Sequence, residues 1–468
     1  MLLERIYDDD LAQAGYLIGC QARGEALVVD ARRDVDVYLT LAARHSLRIV
    51  AVTETHIHAD YLSGTRELAA TTGATAYVSG EGGEDWQYGF EAVRLRDRAV
   101  ITIGNLRVEA RHTPGHTPEH LAFLITDGAF ADEPGYLLSG DFVFAGDVGR
   151  PDLLDEAAGG MDTRFGSAQQ LYASLRDTFL ALPDHVQVFP GHGSGSACGK
   201  ALGALPSTTV GYERRHAWWG RHLEAGDERG FVDELLDGQP DAHAYFARMK
   251  RQNKEGPRIL GPLEPLPNLT SDEVASAVAG NTAIVVDTRT PAEIRTAALR
   301  GALAVPAAGK TASYGAWVYD PDADSRPLVL FVPDQDTAEN VRAHLMRVGV
   351  DDISGYVTDI AGLPTEVPAE VTCAELNSSN VALVLDIRGR SEHTDGHIPG
   401  SRRLGAGNLL WRLDELPREG LIVTYCQSGT RSSVAAAVLR RAGFTVAELS
   451  GGYAAYKAQQ SLLHRSDG

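Results

Sequence analysis

The amino-acid sequence predicts an α/β protein of three domains: two layers of sheet covered by helices over residues 1–255, then two smaller units with parallel sheets over residues 270–364 and 367–468. Three observations predict it. Short β-rich runs alternate with Gly and Pro turns through the first block. Residues 256–269 hold four prolines in fourteen positions and read as a semi-rigid linker. Beyond it a strand–helix pattern occurs twice, which implies βα units around a parallel sheet.

The elements follow in order. In the first block the runs Gly15 to Cys20, Ala26 to Val29, Leu47 to Val52, Thr75 to Val78, Val100 to Ile103, Leu106 to Ala110 and Leu121 to Ile125 read as strands, and Asp34 to His45 as a helix. In the repeat, Ala283 to Asp287 with Arg289 recurs as Leu383 to Asp386 with Arg388. Pro327 to Val332 likewise recurs as Gly420 to Tyr425. Helical runs follow these second strands, Thr337 to Val348 and Arg431 to Ala442, and Pro364 and Pro368 bracket the junction between the copies.

Composition narrows the function classes. With 468 residues, 44% hydrophobic content and 49 glycines the chain reads as globular. No apolar stretch approaches the roughly 18–20 residues that span a bilayer, and Met1 to Asp10 lacks a basic-then-apolar signal pattern. A net charge of −20 weighs against nucleic acid, while small anionic substrates need only a local positive pocket. The expectation is a soluble cytoplasmic enzyme and homo-oligomer with no nucleic-acid or membrane partner. Cys20, Cys198, Cys373 and Cys426 are too scattered for a disulfide framework or a four-thiolate zinc site.

The segment Thr55-His56-Ile57-His58-Ala59-Asp60-Tyr61 carries the first chemistry. Two imidazoles and a carboxylate would project from a loop at a strand's end. Three further segments follow strands in the same way: His112-Thr-Pro-Gly-His116, Gly140-Asp141 and Gly191-His192-Gly193. Any one of these histidines alone reads as structural; their joint order reads as a metal site.

This pattern resembles the metallo-β-lactamase superfamily over residues 1 to about 250. The resemblance implies an αββα sandwich with the metal at one edge between the sheets. Hydrolases of this fold usually bind two zinc ions, with a histidine directly after Asp60 serving the second. Here that position is Tyr61, whose phenol is a poor ligand at neutral pH. The single-ion branch, the persulfide dioxygenases, is the closer match. It implies one mononuclear Fe(II) on His56, His116 and Asp141, with His58, Asp60, Tyr61 and His192 orienting those ligands. It also implies that Arg150, in Gly149-Arg150-Pro151-Asp152, anchors an anionic group of the substrate.

Cys426 carries the second signal. Tyr425-Cys426-Gln427-Ser428-Gly429-Thr430-Arg431 lies between a strand and a helix, where backbone N–H groups stabilise an anion and Arg431 adds a charge. By mechanics alone such a loop holds either a phosphate or a sulfane sulfur. With Asp386-Ile-Arg388, His397-Ile-Pro-Gly400 and Gly451-Gly452-Tyr453 it resembles a rhodanese (sulfurtransferase) domain over residues 367–465. The resemblance implies Cys426 as persulfide carrier, with Gln427, Ser428, Gly429 and Thr430 binding the sulfur group. The equivalent position in the middle repeat, Val332-Pro333-Asp334, has neither Cys nor Arg, so residues 270–364 read as a silent rhodanese-like domain. Cys198, six residues after His192, resembles a thiol of dioxygenase–sulfurtransferase fusions that handles persulfide.

The whole resembles such a fusion, which implies oxidation of a low-molecular-weight or inorganic persulfide by O₂ to sulfite or thiosulfate, in sulfide detoxification. Two alternatives stand beside it: a two-zinc thioester hydrolase of the glyoxalase II type, and a non-catalytic sulfur-carrier or sensing module.

Overall fold

A computed structural model describes residues 1–153, 163–307, 309–376 and 380–466. The chain divides into two compact units, Met1–Ala242 with Phe246–Leu263, and His243–Tyr245 with Glu264–Gly468.

The first unit packs two six-stranded sheets face to face. One has the order Leu2–Asp8, Gln13–Cys20, Glu25–Val29, Arg48–Thr53, Thr75–Ser79, Val93–Leu95. The other has the order Thr208–Thr209, Gln187–Pro190, Tyr136–Gly140, Leu121–Asp127, Leu106–His112, Val100–Ile103. Alternate side chains meet between them: Tyr16, Ile18 and Val29 from one sheet, Val108, Phe123 and Ile125 from the other. Helices cover both outer faces. Tyr38 of Asp36–Arg44 and Leu68 of Thr65–Thr72 pack on the first sheet. Leu171 of Arg164–Ser174 and Phe231 of Glu228–Leu236 pack on the second. The result is the αββα sandwich. Covered on both faces, Gln13–Cys20 is buried along its whole length.

Three strands of this unit escape the sequence reading, among them the two-residue edge Thr208–Thr209. Leu2–Asp8 carries Glu4, Arg5 and Asp8 and is a half-exposed edge strand, so it shows neither an apolar run nor strict alternation. Val93–Leu95 is an edge of three residues.

The second unit contains two wholly parallel sheets. The four-stranded one has the order Leu303–Ala304, Ile284–Asp287, Leu328–Phe331, Ile353–Val357. The five-stranded one has the order Ala369–Val371, Thr445–Leu449, Leu421–Tyr425, Val381–Asp386, Arg402–Arg403. The repeat extends to side chains. Arg289 grips both oxygens of Asp287 and donates to the Ala297 carbonyl; Arg388 grips Asp386 and donates to the Gly396 carbonyl, eight residues on in each copy. The two repeats, expected as separate domains, lie in one compact unit. Ala437 of the helix Thr430–Arg441 packs with Ile294, Ala298 and Ala304 and joins the two copies through apolar contact.

Candidate metal centre and cysteine loop

The strand ends of the sandwich bring three donors together. His56 follows Arg48–Thr53, His116 follows Leu106–His112, and Asp141 follows Tyr136–Gly140. Nε2 of His56 and of His116 lie 4.0 and 3.4 Å from Asp141 Oδ2, and all three side chains are buried. The other ring nitrogens set the tautomers. Thr55 Oγ1 donates to Asp30 Oδ2 at 3.0 Å, so it accepts from His56 Nδ1–H at 2.9 Å. His116 Nδ1–H donates to the Arg150 carbonyl at 2.8 Å. Both Nε2 lone pairs therefore face the carboxylate. Burial lowers the pKa of both rings, which keeps them neutral.

Both oxygens of Asp141 are buried and accept no N–H or O–H hydrogen bond among the described residues. A buried carboxylate beside two neutral imidazole lone pairs is costly alone and is satisfied by a cation, so the donor set fits a metal ion. Glycine makes the approach possible. Gly140 has φ +51°, and a Cβ there would lie 2.6 Å from Thr55 Oγ1. At Gly191 a Cβ would lie 2.7 Å from Asp141 Oδ1.

The residues expected around the ligands occupy distinct places. His58 Nε2 binds Asp30 Oδ1 at 3.1 Å; burial opposes its charge, but Asp30 raises its pKa to about 9. Through Asp30 and Thr55 it reaches His56. Asp60 and His192 face each other, Oδ2 to Nε2 at 3.4 Å, and His192 Nε2 lies 3.6 Å from Asp141 Oδ2. Cys198 lies beside them: its sulfur and the donor atoms of Asp60 and His192 fall within 4.8 Å of one another. Burial, then the Asp141 and Asp60 charges, push the Cys198 thiol well above its usual range. Tyr61 is fully buried with its hydroxyl held by Gln13 Nε2 at 3.2 Å and donating to the Asp30 carbonyl at 3.4 Å. Its ring packs on His58.

Sequence reasoning missed four residues of this cluster. His120 accepts the Asp141 backbone N–H at 3.1 Å and bonds Thr113 Oγ1 at 2.8 Å. Asp30 links Thr55 to His58. Glu119, lifted by burial to about 7, accepts from the Ile57 N–H. Asn253, on the helix Phe246–Glu255, donates to the carbonyls of His58 and Tyr61 at 2.7 Å each and so clamps the loop. His120 was detectable as a histidine four residues after His116 in the same loop; Asn253 carries no sequence signal.

Arg150 requires a correction. Its guanidinium is fully buried and is held by the protein rather than offered to a substrate. Nε and Nη2 grip Asp152 at 2.8 and 2.6 Å, and Nη1 donates to the carbonyls of Pro240 and Ala197 at 2.6 and 3.3 Å. With the His116 bond to its carbonyl, Arg150 braces the metal ligand and the loop of Cys198. Arg150→Met removes the guanidinium partner of the buried Asp152 carboxylate and should cost about 3–5 kcal/mol. The expected reading is a melting temperature lower by roughly 10 °C for this unit; an unchanged melting temperature with a raised KM would restore the substrate-anchor role.

In the second unit Cys426 ends Leu421–Tyr425 and precedes the helix Thr430–Arg441. Gly429 N–H donates to Cys426 Sγ at 3.1 Å and Ser432 Oγ lies 3.7 Å away. Gln427 and Ser428 are exposed at the rim, Gly429 is buried, and Thr430 opens the helix. Arg431 forms a two-pronged pair with Glu392 at 2.6 and 2.7 Å, so its charge is balanced by a carboxylate that the sequence did not single out. In the middle repeat residues 332–334 replace residues 426–429, one residue fewer, and the Asp334 carboxylate caps the helix by accepting from Thr337 N–H. A carboxylate fixed there repels a sulfur anion.

Sandwich and donor set define the class: the chain belongs to the metallo-beta-lactamase superfamily, whose sequence pattern matches residues 9–192. A metallo-beta-lactamase from Staphylococcus aureus subsp. aureus COL is 35% identical in sequence, with a TM-score of 0.68 over 76% of this chain and 99% of that one. The pattern of the rhodanese-like domain matches residues 370–459, so the chain joins a metallo-beta-lactamase domain to a rhodanese-like domain. Within the superfamily, the mitochondrial persulfide dioxygenase of Bos taurus is 28% identical over 200 residues, 41% of this chain and 68% of that protein. A hydroxyacylglutathione hydrolase from Polaromonas sp. (strain JS666) is 30% identical over 194 residues, 41% of this chain and 66% of that protein. Among the described residues no helix is long and apolar enough to cross a membrane.

Proposed function

We propose that the first unit is a mononuclear non-haem Fe(II) persulfide dioxygenase and that the rhodanese-like domain is a sulfurtransferase acting on the same sulfur pool. One observation carries this reading. The position that would hold a second ion's histidine is Tyr61, and its hydroxyl is tied to Gln13 and Asp30. A single ion on two histidines and a carboxylate is the pattern of Fe(II) oxygenases; likeness to persulfide dioxygenases points to the substrate.

Held by His56 Nε2, His116 Nε2 and Asp141, Fe(II) would supply redox chemistry and open coordination positions. The chain's residues do the rest. Thr55 and the Arg150 carbonyl fix the two imidazoles, and His120 holds the backbone of Asp141. In balance, a persulfide RSSH, O₂ and water give the thiol RSH, sulfite and two protons. The Cys426 thiolate takes the outer sulfur of a second RSSH and releases RSH; sulfite then attacks the outer sulfur of the resulting Cys426 persulfide. The S–S bond breaks, thiosulfate leaves, and the electron pair returns to Sγ, where Gly429 N–H receives it.

The test is elemental analysis of the full chain together with O₂ uptake on a low-molecular-weight persulfide. About one iron per chain and persulfide-dependent uptake are expected. Two zinc ions per chain, thioester hydrolysis and no uptake would establish the hydrolase reading instead.

A further inference from the structure

The middle repeat has lost its own thiol loop, yet one of its side chains enters the loop of Cys426. Arg295 lies on the short helix Pro291–Thr296 of that repeat. Its Nη2 donates to the Gly429 carbonyl at 2.7 Å and lies 3.2 Å from Glu448 Oε2. Its Nε lies 3.7 Å from Glu370 Oε1. Gly429 is the residue whose N–H meets Cys426 Sγ. With φ +112° it sits where L side chains rarely go, and a Cβ there would fall 2.6 Å from Arg295 Nη2. A side chain at Gly429 would push the guanidinium off the carbonyl, and glycine is also the residue with the least conformational restraint of its own.

We propose that Arg295 is a positioning residue for sulfur transfer: by holding the Gly429 carbonyl it fixes the dihedrals of Gly429 and keeps its N–H aimed at the sulfur of Cys426. This rests on the reading that Cys426 carries sulfur. The carbonyl has two other donors, Ser432 Oγ at 3.0 Å and the Ser433 N–H at 3.2 Å, and both come from the adjacent helix. Arg295 is the restraint from outside the loop. Its action is geometric more than electrostatic, because Glu448 and Glu370 stand against its charge. Glu448 is buried, also accepts from Ser433 Oγ at 3.2 Å, and fixes the guanidinium in turn. The repeat without a thiol thereby becomes part of the sulfurtransferase site.

The experiment uses the full chain as wild type, Arg295→Ala, Arg295→Lys and Cys426→Ser. Two readouts are taken: the pH midpoint of iodoacetamide alkylation at Cys426, followed by peptide mass spectrometry, and the kcat/KM of sulfur transfer from thiosulfate to cyanide. Losing one aligned N–H donor to the thiolate should raise the midpoint by about one unit in Arg295→Ala and lower kcat/KM about tenfold. Arg295→Lys keeps a cation for Glu448, and hence the fold, but not the planar fork that serves carboxylate and carbonyl together. It should show the same two shifts at smaller size, and it carries the test if Arg295→Ala does not fold. A wild-type midpoint and rate in Arg295→Lys and in any folded Arg295→Ala overturns the proposal. Cys426→Ser separates the two levels: transfer that survives in it overturns the sulfur-carrier reading itself.

Discussion

Asp141→Ala should yield a chain that folds, binds iron at least about 100-fold more weakly, and takes up no O₂ on persulfide. Loss of an outer partner of a metal ligand already costs roughly 10–100-fold in affinity, and Asp141 is the sole anion of the three-donor set. The fold should survive because Asp141 contributes little to it. Its carboxylate oxygens accept no N–H or O–H hydrogen bond among the described residues, and both are buried. Removing them takes away a desolvated charge instead of a structural contact. The comparison that gives this meaning is Asp60→Ala. Asp60 groups with His192 and Cys198 and not with the His56, His116 and Asp141 donors, so in a one-ion enzyme its loss should leave iron content near wild type. In a two-ion enzyme both variants would lose metal together. Equal loss of bound metal in Asp60→Ala and Asp141→Ala would therefore count against the mononuclear reading.

Much of this centre was legible in the sequence because its donors sit at strand exits, and strand exits are marked by apolar runs ending in Gly, His or Asp. His56, His116, Asp141, Asp60, His192 and the thiol loop were all visible at strand exits in that way; which of them hold the metal came from the family resemblance. What was not visible comes from other parts of the chain. Asp30 ends a strand with nothing in its neighbours to mark it, and its role depends on parallel pairing between Glu25–Val29 and Arg48–Thr53, which brings it beside Thr55. Asn253 reaches the His58 loop from about 190 residues away, through packing that no local pattern encodes. Arg150 shows the opposite failure. Its segment matched a motif, and the expected substrate anchor is instead buried against Asp152 and two carbonyls. A motif names residues, and their burial decides what those residues can do. The repeat shows the same limit: the Asp-x-Arg pairs survive in both copies, while the thiol loop survives in one.

Cys426→Ser should abolish sulfur transfer, by at least about a thousandfold, and leave O₂ uptake on persulfide unchanged. A serine hydroxyl at the same position keeps the Gly429 N–H contact but is not ionised at neutral pH, and it cannot carry a sulfane sulfur through a labile S–S bond. The product ratio is the sharper measurement. If Cys426 is where sulfite meets sulfane sulfur, the variant should accumulate sulfite at the expense of thiosulfate while consuming the same O₂. Cys198 supplies the contrast. It lies with Asp60 and His192 beside the metal centre, and burial with two nearby carboxylates disfavours its thiolate. Cys198→Ser should therefore leave transfer from thiosulfate to cyanide intact, whatever it does to O₂ uptake. Thiosulfate formation that persists in Cys426→Ser and vanishes in Cys198→Ser would move the sulfur-carrying step into the first unit. Two thiols in two chemical settings make opposite forecasts, and one pair of product assays on the full chain decides between them.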